Sequence, residues 1–74
     1  MPFQLYQDVL ARKTLTDDSG REIAVGKQVV IVEFLGETHC IFEAAWPDET
    51  LVGGFDFSVG TCELTHLEPV PDKE

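Results

Sequence analysis

Between residues 5 and 15 the side chains alternate. Leu5, Gln7, Val9, Ala11 and Lys13 fall on one side and Tyr6, Asp8, Leu10 and Arg12 on the other, which predicts a partly buried first strand. Residues 16–22, with Thr16, Asp17, Asp18, Ser19 and Gly20 together, are rich in side chains that bond their own backbone or tolerate positive φ, and predict an exposed loop. Gly26 then suits a tight turn into residues 29–35, the most β-branched stretch of the chain and the clearest strand. Gly36, Glu37 and Thr38 make a connector short enough for a hairpin, so residues 39–46 should return antiparallel. Pro47 and the polar residues after it stop that ladder. Residues 51–59 read as a fourth strand, with Leu51, Gly53, Phe55, Phe57 and Val59 on one face. Both aromatics are thus expected to point inward, and the Gly53-Gly54 pair to mark a bulge or corner. Gly60 and Thr61 should end it, leaving residues 62–70 for a last short strand with room for a single 3₁₀ turn.

Five short strands, a long early loop and a closing terminal strand predict an all-β fold of the small, five-stranded SH3-like barrel type. The domain would span residues 5–70, with a lead over 1–4 and a polar tail over 71–74. At 74 residues one domain is the ceiling, and a chain this short leaves a large part of its surface exposed. No apolar run approaches the length of a membrane span. The start, Met1-Pro2-Phe3-Gln4, has no basic segment followed by an apolar stretch, and two cysteines make no disulfide framework, so a cytoplasmic location is expected.

Charge changes the picture more than length does. There are 14 acidic and 5 basic residues, a net of −9. Residues 1–27 balance, whereas residues 28–72 contain no Lys or Arg and carry the whole excess. That argues against direct binding to nucleic acid or to anionic membranes, where affinity comes from cations displacing counterions. It points to a basic protein partner. Paired as predicted, Glu33, Glu43 and Asp56 would line one sheet face, with Glu37, Asp48 and Glu49 at the loops. The partner-binding set expected on this basis is Glu33, Glu43, Asp48, Glu49 and Asp56 for steering, with Trp46 as apolar anchor. Each has a plainer reading. The carboxylates would then form a solvated face, and Trp46, which shares strand parity with Phe42, would be a core aromatic.

Chemistry is thinly represented. His39, Cys40, Cys62 and His66 are metal-ligand types, but adjacent strand residues project to opposite faces, and no Cys-x-x-Cys spacing occurs. Buried cysteines acting as small hydrophobes explain them better, and neither a metal nor a cofactor is expected. Phosphate-binding glycine motifs and the calcium-loop pattern are missing from the sequence. The expected class is therefore a non-enzymatic binding module, with a homo-oligomeric structural or assembly subunit as the alternative.

Three segments carry a resemblance: Tyr6-Gln7-Asp8-Val9-Leu10, Ala24 through Glu33 with its Val29-Val30-Ile31-Val32 core, and Leu64-Thr65-His66-Leu67-Glu68-Pro69-Val70. Together they resemble a family of small bacterial proteins, common in cyanobacteria, with an early D-V strand, a G-x-x-V-x-I-V-E strand and a closing L-x-P-V segment. The resemblance implies an SH3-like fold. Because such genes often lie beside toxin genes, it also implies an antitoxin or immunity role toward a basic, nuclease-like toxin. The chain departs from that pattern over residues 44–47 and at Gly53-Gly54, and no site residues carry over.

Overall fold

The computed structural model describes residues 3–71. Its strands are β1 (Asp8–Ala11), β2 (Leu15–Thr16), β3 (Glu22–Ile23), β4 (Gln28–Leu35), β5 (His39–Pro47), β6 (Phe55–Glu63) and β7 (Leu67–Pro69), with a 3₁₀ turn over Leu64–His66. β4, β5 and β6 form an antiparallel meander. β1 joins it beside β4, and β7 pairs with the other side of β1, so the five-stranded sheet runs β6-β5-β4-β1-β7. β2 and β3 make a separate small hairpin. The fold is all-β, and the main sheet is not closed into a barrel: β6 and β7 remain its edges.

In β1, β4 and β5 the core residues fall where alternation places them. Val9 and Ala11 of β1, Val29 and Ile31 of β4, and Cys40, Phe42 and Ala44 of β5 are buried, and Leu15 and Ile23 of the small hairpin close over them. Register shifts in β4 between Ile31 and Glu33, where Val32 is the extra residue of a bulge. Beyond the bulge Glu33 and Leu35 are exposed, while Phe34, opposite Cys40, packs against the core.

The structure corrects several expectations. Residues 16–22 are no bare loop, because Thr16 pairs with Glu22 and Leu15 with Ile23, two rungs that turn the segment into a hairpin lying on the sheet. Gly53 and Gly54, at φ +90° and +79°, sit in the turn before β6. They serve that turn and make no bulge. β6 passes through Gly60 and Thr61 without ending, and the 3₁₀ turn separates it from a β7 of only three residues.

The largest correction concerns Phe55 and Phe57. They are 49% and 58% exposed and point outward with Val59. The cause lies further along the strand. Gly60 stands opposite Phe42, and a Cβ there would come within 2.8 Å of both the Phe42 ring and the Asp17 backbone. Gly60 and Cys62 must therefore take the inner face, and the period of two leaves Phe55, Phe57 and Val59 the outer one. At the N-terminus, Phe3 belongs to the core although it falls in the expected lead. Of the expected tail only Pro71 is among the described residues, and it is exposed.

Candidate functional site: the two faces of the sheet

Parity and register divide the expected partner residues between two faces. On the outer face, Asp8, Val30, Glu43 and Val59 stand in one row across β1, β4, β5 and β6. A second row holds Leu10 and Gln28 at one end and Ala45 and Phe57 at the other. Glu33 follows beside Ile41, Glu63 beside His39, and Glu68 beside Leu10. Five carboxylates thus share this face, and no strand of the main sheet contains a Lys or Arg. Among the described residues the cations, Arg12, Lys13, Arg21 and Lys27, all lie in the connection from β1 to β4.

Trp46 and Asp56 are paired with each other and belong to the opposite face. Trp46 is half-buried against the core and donates its indole N–H to the Ser58 hydroxyl at 2.8 Å. The Arg21 guanidinium and the Lys27 ammonium each lie 4.5 Å from its ring centre, and Lys27 also donates to the Ala45 carbonyl at 3.0 Å. Cation and ring attract through the ring quadrupole, so Trp46 is already occupied by this chain's own side chains. Asp56 sits 4.0 Å from Arg21, with both side chains about half exposed, a weak pair in solvent. Glu33 and Glu43 therefore come together as expected, whereas Asp56 and Trp46 lie across the sheet from them. Asp48 and Glu49 sit in the turn after β5, where the Asp48 carboxylate accepts from the Thr50 hydroxyl at 2.6 Å and its N–H at 2.9 Å; the hydroxyl first, then the N–H, lower the pKa of Asp48.

The turn of the small hairpin is organised by a single buried acid. Asp17 is 5% exposed, and its Oδ1 accepts from the Ser19 N–H, the Ser19 hydroxyl and the Arg21 N–H at 2.8–2.9 Å. Its pKa is lowered to about 2, foremost by the Ser58 hydroxyl, then by these donors, with burial acting the other way. Ser58 stops short of hydrogen-bond geometry, so Oδ2 is left without a partner. The next residue, Asp18, donates its N–H to the Val59 carbonyl at 2.8 Å, and the Phe57 N–H bonds the Asp56 carboxylate at 2.9 Å. Two backbone groups of edge strand β6 are thereby satisfied without another strand.

The four metal-ligand types do not converge. Cys40 and Cys62 face each other across β5 and β6, both buried and free, while His39 is exposed on the outer face. The Cys62 thiol is pushed up by its hydrogen bond with Cys40 and then by burial, so it stays protonated. Among the described residues no group of three His, Cys, Asp or Glu is placed to hold a metal ion.

Residue reasoning missed the outer-face apolar residues, above all Phe57, which β6 presents beside Ala45. With Asp8, Gln28, Val30 and Glu43 these two border a shallow depression of about 330 Å³. The signal was present: two aromatics alternate with Asp56 and Ser58, and only the register decides which set faces in. Comparison with known proteins finds no matching family, no matching curated protein and no matching solved structure. No helix among the described residues is long and apolar enough to cross a membrane.

Proposed function

We propose that this chain is a non-enzymatic, SH3-like protein-binding module that docks a basic protein on the outer face of its sheet. An antitoxin or immunity protein acting on a basic, nuclease-like toxin is the form of that function the sequence resemblance favours. The SH3-like assignment draws support from the strand order β6-β5-β4-β1-β7, the small hairpin between β1 and β4, and the 3₁₀ turn before the last strand. One observation carries the functional reading: Asp8, Glu33, Glu43, Glu63 and Glu68 share a face whose strands contain no Lys or Arg, although the described residues carry four such cations elsewhere, and only Glu63 has a basic neighbour there, the His66 imidazole at 3.7 Å. Like charges on neighbouring strands repel and cost stability. A basic partner would turn that repulsion into attraction, speed association and exclude acidic competitors.

The alternative, a homo-oligomer built by pairing the edges of β6, is less well supported. The Val59 carbonyl and the Phe57 N–H, which such pairing would use, already have partners. The test is titration calorimetry against basic proteins encoded beside this one, at low and high salt. Affinity should fall by about tenfold or more on raising the salt and on the double reversal Glu33→Lys with Glu43→Lys, and should change little with Asp56→Lys on the other face. Binding indifferent to salt and to the double reversal overturns the reading.

A further inference from the structure

Phe57, on edge strand β6, is more than half exposed, an unusual state for a large aromatic in a ladder. Its neighbours make the exposure specific. Across the strand pair it faces Ala45, whose single methyl leaves room beside the ring, and Val30 forms the far wall. Phe55 and Val59, 49% and 40% exposed, extend the apolar strip along β6 on either side. Asp8 and Glu43 flank Val30 in the adjoining row, and Glu43 borders the depression itself. Among the described residues neither has an ion-pair partner: Arg21 reaches Asp56 and Lys27 reaches Ala45 from the other face. An apolar floor with carboxylates at its rim is complementary to a segment that is apolar at its centre and cationic at its flanks.

We propose that the depression between Phe57, Ala45 and Val30 seats one large apolar side chain of the partner, while Lys or Arg residues beside it in the partner sequence meet Asp8 and Glu43. This rests on the outer-face reading above and adds to it that Phe57 is the anchor and that pure charge is insufficient. A desolvated aromatic of this size ordinarily dominates an interface, with charges at the rim setting rate and orientation. Trp46 cannot take that part, since its ring is covered by Arg21 and Lys27.

The test is an amide chemical-shift titration of the folded chain at low salt with two probe peptides, hexalysine and a hexapeptide of sequence Lys-Lys-Phe-Leu-Lys-Lys. The mixed peptide should shift the amides of Val30, Ala45 and Phe57 and bind about tenfold or more tightly than hexalysine. Phe57→Ser should remove that advantage, whereas Val52→Ser, which replaces a fully exposed apolar residue in the turn before β6, should leave it unchanged. Equal binding of the two peptides, or binding that ignores Phe57→Ser, overturns the anchor and leaves the acidic face standing. No shift with either peptide overturns both. Shifts of the same amides on raising the concentration of the free chain would put a second copy in the depression, and also overturn the proposal.

Discussion

Asp17 shows how much one side chain can organise. A carboxylate that is 5% exposed is unfavourable unless its charge is met, and here three donors from Ser19 and Arg21 meet one oxygen while shaping the turn of the hairpin. Its pKa is lowered to about 2 from an ordinary 3.8, so the folded chain favours the ionised form. The stability this brings is complete above about pH 4 and is lost as pH falls toward 2, because protonation is easier in the unfolded chain. Asp17→Asn should flatten that part of the stability profile, measured as thermal midpoint against pH, and should lower stability at neutral pH, where a neutral amide oxygen accepts the same bonds more weakly than a carboxylate. A midpoint with the same acid dependence as the parent would remove Asp17 from the account. None of this was visible in the sequence. Asp17, Asp18, Ser19 and Gly20 together announce a turn, but burial of the first depends on the hairpin lying on β6, a contact between segments far apart in the chain.

At the level of elements, the close contact of hairpin and sheet runs through Gly60. A methyl group there would meet the Asp17 backbone and the Phe42 ring at 2.8 Å, and the Thr16 carbonyl at 3.0 Å. Phe42 is completely buried at the centre of the core and cannot give way cheaply. Gly60→Ala should destabilise by about 1–3 kcal/mol in denaturant titration, while alanine at Ser58, next along the same face, should cost less. The same contact explains which strands could be read in advance. β4 and β5 were legible because apolar residues recur on one face and the Gly36 connector is short. β6 starts later than its pattern of side chains suggests, at Phe55, and presents the opposite face to the core. Its aromatics suggested an inner face, but the absence of a side chain at Gly60, matched to the bulk of Phe42, sets the register. Aromatic content marks a strand well and its inner face poorly, since what decides the face is the partner across the ladder.

Across the whole molecule, charge is sorted by topology. The main sheet carries no Lys or Arg, and the connection from β1 to β4 carries all those among the described residues. Segregation along the chain was legible from the sequence. Its distribution in space was not, for Asp56 and Trp46 face away from Glu33 and Glu43. A net charge of −9 on 74 residues also means self-repulsion in the folded state. Stability should therefore rise by about 1 kcal/mol between low salt and a few tenths molar sodium chloride, as screening shortens the range of that repulsion. The check is urea unfolding at the two ionic strengths; a flat or falling response would mean that the carboxylates are too well separated to strain the fold.

The bond from the Asp18 amide to the Val59 carbonyl reaches beyond the isolated chain. With nine residues, three of them large and apolar on one side, β6 would otherwise offer a bare rail on which identical chains could stack without limit. The hairpin tip works as a bumper at the middle of that rail. A variant shortened at the tip should therefore betray itself first in concentrated stock, as thickening and fibres, well before its thermal midpoint gives any warning.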